Sequence, residues 1–424
     1  MSQVPLAAAR RGMRMSVIEG SLYSLWFGLL AGNYLTGLLL HLHATGFDLG
    51  VAAALPSLAM LPQVGFVAWV RSVADRRWIC GGLGALHRLG WALGGLLALF
   101  LKHPWDLIVF ECCYGVAWLG QGPINVAWAA YMDDIVAMPV RGRYFGWRTG
   151  VTQAAALVGV LIGGWILQAQ PGTRGFAFLL LAGLLAGAAN VAMWPLHPRV
   201  PAPARAAPPP DRAPGESVAS HRGPHRRAAV FFAVWMFVQS LAVPFYPVAL
   251  LGPLRLNFGE LALLSAAAGL ATVLAAAAVG RWQDRRGELE VSSYGMALLA
   301  APPLLLWAAL RGGVPVLVLA HVMFGVGTGL VMVSSFTLNL RLAPAGDREG
   351  QLAVWYAASG LGSLVAPLLA GPLTLRNIWP LFAAASTCSL VLACVWRWWL
   401  GPSCLGPAPR LRVRGAARPR LWPT

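Results

Sequence analysis

Long, almost uncharged apolar stretches recur along the whole chain, and a helix that crosses the hydrocarbon core of a bilayer needs about 20 such residues. Twelve can be delimited, at 19–41, 48–70, 79–101, 106–131, 147–168, 174–194, 228–251, 258–279, 291–310, 313–337, 351–372 and 377–400. The runs lack the period-two alternation of a membrane barrel, and only helices and closed barrels satisfy every backbone group in lipid. The expected fold class is therefore an all-α membrane protein of about 12 transmembrane helices. Composition agrees, with 58% hydrophobic and 11% charged residues, against about 25% charged in a soluble domain.

A net charge of +17 invites a nucleic-acid reading, but the distribution of that charge gives another answer. With the N-terminus inside, 26 basic residues fall on the cytoplasmic side, and five, Lys102, Arg174, Arg255, Arg311 and Arg376, fall opposite. This is the asymmetry that the positive-inside rule produces. It predicts a multi-pass protein of the cell inner membrane with both termini cytoplasmic. Nucleic acid is not an expected partner. The lipid bilayer is, with anionic headgroups against the arginine-rich tail at 405–420. The first apolar run exceeds a signal-peptide core, so no cleavage is expected there. The six cysteines have no metal-ligand spacing and read as small packing residues.

The region 195–227, rich in Pro, Ala and Arg, reads as a flexible cytoplasmic connector. It divides the chain into a six-helix half at 1–194 and another at 228–400, followed by a basic cytoplasmic tail at 401–424. The halves repeat one another. Asp75-Arg76-Arg77 follows the second span as Asp284-Arg285-Arg286 follows the eighth, and Tyr114-Gly115-Val116 aligns with Phe324-Gly325-Val326 at an offset of about 210. Two parallel six-span halves are the layout of one large class of secondary transporter.

The six-plus-six layout, the basic central loop and GRWQDRRG at 280–287 together resemble the major facilitator superfamily. The resemblance implies a cytoplasmic gate motif, G-x-x-x-D-R-x-G, after the second helix of each half. Gly280, Asp284, Arg285 and Gly287 keep it in the second copy, while the first keeps Asp75 and Arg76 and has Arg71 and Trp78 at the glycine positions. Physically, glycines allow tight reversal, and an Asp beside two Arg can pair with charges or a helix end on the facing half. A bare topology signal is the alternative, and repetition at matching positions favours the gate. A glycine series at Gly150, Gly159 and Gly163 partly matches the fifth-helix pattern of drug/proton antiporters, and close packing explains it better.

An ionisable residue at bilayer depth costs at least about 2.5–3.5 kcal/mol and needs a partner or a wet cavity. His87 and Arg88 lie mid-span, Glu111 and His321 about one turn inside the outer ends, and Glu19 and Asp133-Asp134 near cytoplasmic ends. Glu111 is the candidate partner of Arg88 nearest in sequence, and from about 12 Å away in depth it could reach Arg88 only by snorkelling. A tie to backbone carbonyls and a substrate-facing role are equal alternatives for Arg88. Glu111 and His321 occupy equivalent repeat positions, and both side chains suit proton carriage; the alternative is that both are solvated by headgroups. Gln121, Asn125 and Gln239 are candidate substrate contacts, although interhelical hydrogen bonding is the commoner use. For Trp26, Trp91, Trp118, Trp128, Trp235 and Trp355 inside spans, lipid-facing packing is the default, with cavity lining as the alternative.

No nucleotide-binding loop is present and no cofactor is implied, so an ion gradient or the solute's own gradient must drive movement. The expected function is secondary active transport of a small solute by alternating access, with proton-coupled export of an amphipathic compound preferred. An uptake permease for a sugar or organic acid and a non-transporting solute sensor are the alternatives. An enzyme is not expected, because paired His/Asp or metal clusters at a membrane face are missing. A monomer is the oligomeric expectation.

Overall fold

The computed structural model describes residues 5–200, 218–342 and 348–400. Their α-helices are α1 Leu6–Leu30, α2 Asn33–His41, α3 Gly46–Leu58, α4 Gln63–Ser72, α5 Arg76–Ala98, α6 Trp105–Ile135, α7 Met138–Ala169, α8 Thr173–Met193, α9 Val218–Ala242, α10 Tyr246–Leu251, α11 Phe258–Arg286, α12 Glu288–Leu342, α13 Arg348–Thr374 and α14 Trp379–Leu400. Three crossings are each made of two helices: α1 with α2, α3 with α4, and α9 with α10. In turn α12 makes two crossings, reversing at Gly313, whose φ is +64°. The described helices thus give the twelve crossings expected, and residues 5 and 400 lie at the same end of the bundle, the terminal face. The opposite end is the loop face.

The starts of α3 and α11, 212 positions apart, are set by the same device. Thr45 and Asp48 form a capping box, and so do Asn257 and Glu260, each satisfying donors that the first turn leaves free. The repeat is therefore written in caps as well as in hydropathy. Part of the connector departs from expectation. Residues 201–217 lie outside the described residues, but 218–227 are helical, extending the seventh crossing beyond its apolar run. There the His225 ring bonds Asn339 Oδ1 at 3.0 Å and packs on Trp355, so the extra turns are held by side chains rather than by hydropathy. The tail at 401–424 also lies outside the described residues.

Within each half, helices meet where small residues let backbones approach. A Cβ at Gly28 or Gly159 would strike the facing backbone of α7 or α1, and one at Gly325 would strike Ala268. Of the antiporter-like glycine series, Gly159 and Gly163 are closely packed and Gly150 faces open space. Between halves, α3 meets α13 and α7 meets α11. Gly46 and Gly50 abut Gly371 and Pro367, and Gly164 abuts Ala262. All these approaches lie toward the loop face. Nearer the terminal face, Gly146 and Gly150 of α7 and Gly280 of α11 have nothing within 4 Å of where a Cβ would stand. The closest backbone approaches between the halves thus lie toward the loop face, with Gly360 of α13 also meeting Met60 and Ser57 of the first half.

Candidate functional site

The first crossing breaks at Ala31–Gly32, where Gly32 has φ +61°, a conformation that costs a glycine little and an L residue more. The seventh crossing breaks at Val243–Phe245, in one 3₁₀ turn that includes Pro244, whose ring removes a helical donor. These breaks fall about 210 positions apart and so match in the repeat. Interrupted helices at corresponding positions of two halves are the best structural pointer to a binding site in this architecture.

A cavity of about 300 Å³ lies at both breaks. Gly32 and Asn33 reach it from the first half, and Tyr246, Ser265, His321 and Phe324 from the second. The Asn33 side chain spans the halves, its Nδ2 donating to Ser265 Oγ at 2.8 Å. The Tyr246 ring stands edge-on to Phe324 and Phe382, at 5.7 and 5.4 Å. His321 Nδ1 lies 2.8 Å from Leu317 O; a carbonyl only accepts, so Nδ1 carries the proton and Nε2 is left as the acceptor. Thr272 is committed elsewhere, its hydroxyl within bonding distance of Ala268 O and Gly325 O at 2.9 and 3.0 Å.

Of the candidate coupling and substrate residues singled out in the sequence, His321 alone lines this cavity. Its counterpart Glu111 is half-buried on α6 with Oε1 buried and without a partner, and no hydrogen bond or ion pair joins the two among the described residues. Gln121 Nε2 donates to Asn125 Oδ1 at 2.8 Å within α6, and Gln239 Nε2 donates to Ser389 Oγ at 3.0 Å, tying α9 to α14. Both bonds are structural uses of the amides. Gly32, Asn33, Tyr246 and Ser265 were missed. For Gly32, Asn33 and Tyr246 the signal was a Gly-Asn and a Val-Pro pair at equivalent places within two apolar runs, and Ser265 had none.

Arg88 does not meet Glu111; it is held by a ring and by a backbone carbonyl, one of the two alternatives set out for it. Its side chain is 2% exposed, lies 4.8 Å over the Tyr23 ring and reaches Gly84 O at 3.3 Å. The carboxylate whose charge reaches it is Glu19, through space and without an ion pair among the described residues, and not Glu111. Far from sitting at a helix end, Glu19 is buried midway along α1, where Asn190 Nδ2 bonds its Oε1 at 3.1 Å and Arg148 approaches its Oε2 at 3.8 Å. The first half thus carries a buried knot of one carboxylate and two guanidinium groups. Beside it, Trp26, His87, Trp91 and Trp118 form a ring cluster with centroids about 5–6 Å apart. Trp26, Trp91, Trp235 and Trp355 are buried, which overturns lipid-facing packing for them: these rings fill helix junctions inside each half.

At the terminal face, Asp75 caps α5 and accepts from Arg77 Nη2 at 2.6 Å; these hydrogen bonds hold its carboxyl below the usual carboxylate range. Arg76 pairs with Asp134 at 2.5 Å. In the second half, Glu288 pairs with Arg341 at 2.9 Å. Both pairs join the first residue of a helix, α5 or α12, to the last but one residue of the next crossing, with the charges reversed. They bind each half to itself. Asp284 and Arg285 are exposed in the last turn of α11 and make no ion pair among the described residues. Gly287, with φ +82°, makes the expected tight reversal, whereas Gly280 supports no close approach.

Comparisons place this geometry. Residues 228–420 match the family model of the Major Facilitator Superfamily. An uncharacterized MFS-type transporter of Mycobacterium tuberculosis is 26% identical over 162 residues, 38% of this chain; the match spans only 28% of that relative's length. Among solved structures, the nucleoside transporter NupG superposes with a TM-score of 0.70 at 13% identity, covering 93% of this chain and 100% of that one. A bacterial homologue of the iron transporter ferroportin, in an inward-facing state, gives 0.68 at 15% identity, covering 94% and 100%. The human organic anion transporter MFSD10 gives 0.63 at 15% identity, with 94% and 100% coverage. With its twelve crossings in two repeated halves and these neighbours, the chain is a multi-pass membrane protein with the fold of major facilitator superfamily transporters, and its residues 228–420 match that family's model.

Proposed function

We propose that the chain exports a small amphipathic solute across the cell inner membrane by rocking its two halves about the cavity at the paired helix breaks, driven by protons. The observation that carries this reading is the meeting of the two breaks, one from each half, at a single cavity where Asn33 of one half bonds Ser265 of the other. Such a contact must change when the halves move, so occupancy and motion share the same atoms. The positive-inside asymmetry makes the terminal face cytoplasmic. The open space beside Gly146, Gly150 and Gly280 there fits an inward-open state, in which Asp75 and Asp284 are disengaged from the facing half and re-engage when that face closes. Glu111 is the proposed proton carrier: its Oε1 is withdrawn from water without a partner, and Asp48 on α3 is the charged group near it. His321 instead serves the cavity, since its Nδ1 is held by Leu317 O.

The test begins with mass spectrometry of solutes retained on the purified protein, followed by counterflow of the retained solute in proteoliposomes. Exchange of labelled solute above that of protein-free vesicles is expected. Retention without exchange would make the protein a sensor. A reporter fused at Arg255 should read outside, and a cytoplasmic signal there would reverse the sidedness.

A further inference from the structure

The cavity's chemistry narrows the solute class, an inference that rests on the transport reading above for its biological meaning but not for its test. Among the described residues that line it there is no Asp, Glu, Lys or Arg. A charged solute would leave water without gaining a counterion, a loss that buried sites do not recover. The walls are apolar and aromatic, with Leu250 and Leu306 beside the Tyr246 and Phe324 rings. Offset or edge-on packing on such faces favours a flat ring.

The polar groups are few and converge. One Asn33 Nδ2 hydrogen goes to Ser265 Oγ, which leaves its second hydrogen and the Ser265 hydroxyl hydrogen as donors and Asn33 Oδ1 as an acceptor. His321 Nε2 accepts, as derived above, and the Tyr246 hydroxyl can do either. The set therefore asks for at least one N–H or O–H on the solute and rewards an acceptor as well. A volume of about 300 Å³ is at the small end of ligand pockets and suits one or two fused rings.

We propose that this cavity binds an uncharged ring-bearing solute with a hydrogen-bond donor, packed against the Tyr246 and Phe324 rings with its donor on His321 Nε2. Charge, rather than shape alone, is the basis of selection.

Three probes share one ring and differ in charge: indole, tryptamine and indole-3-acetate. Equilibrium dialysis of labelled probes against the full-length protein in nanodiscs should show indole bound at least tenfold more tightly than either charged analogue. His321→Leu should weaken indole at least fivefold and leave the weak binding of the ions unchanged. Ser265→Asp places a carboxylate in the wall and should turn the order toward tryptamine. Failure of indole to bind, or equal binding of the three probes by the parent protein, overturns the proposal, and this ranking decides the matter even if a variant does not fold. Counterflow of a retained solute is read separately, so a wrong solute class and a failure to transport give different results.

Discussion

His197 sits just beyond α8, its ring stacked on Trp194 at 4.7 Å and both ring nitrogens buried without partners. Burial, with Arg77 and Arg148 adding to it, pushes the imidazole down from 6.5 to about 4. Between those values the unfolded chain takes up a proton that the folded chain does not, so stability is full above 6.5, falls as pH drops through the window and levels off below about 4. The whole effect is roughly 3 kcal/mol. His197→Phe keeps the stacked ring and removes the titration, and should flatten the fall in melting temperature between pH 7 and 4.5; a parental slope would place the sensitivity elsewhere. Asp75 acts in the same direction at lower pH, since its Arg77 bonds stabilise the fold above the ordinary carboxylate range and are lost as its carboxyl protonates. Glu111→Gln keeps shape and removes charge. It should preserve solute exchange while losing transport driven by a pH gradient, and undiminished uphill transport would show that Glu111 is solvated and idle.

At the level of whole helices, the reversed ion pairs give a direct test of what holds each half together. Reversal of one partner, Arg76→Asp or Asp134→Arg, sets like charges face to face and should lower the melting temperature by several degrees, and the double exchange should recover most of that loss. No recovery would mean that the pair is incidental to packing. The twelve crossings were legible because hydropathy over 20 residues is a collective signal that single residues barely disturb. The breaks were not, because Gly32-Asn33 and Val243-Pro244 sit within apolar runs where small residues and prolines are ordinary. Glu19 was misplaced for a related reason. α1 begins at Leu6, well before its apolar run, so a residue at the run's edge is midway along the helix. Partners such as Glu19 with Arg148 and Asn190 come from non-adjacent crossings, and hydropathy does not say which crossings touch.

Across the molecule, the halves approach most closely toward the loop face, where Asn33 of one bonds Ser265 of the other. A double variant, Asn33→Cys with Ser265→Cys, puts thiols where a 2.8 Å hydrogen bond now stands. Oxidation should lock the loop face and stop counterflow, and reductant should restore it. Unimpaired counterflow in the crosslinked protein would rule out movement at this contact. The buried knot of Glu19, Arg88 and Arg148 lies wholly in the first half, and the cavity mostly in the second. The two repeated halves are thus unlike inside: the first carries the buried charges, and the second supplies most of the cavity wall. New solute preferences should then emerge through changes in the second copy, while the first tolerates little beyond the single asparagine it lends across the divide.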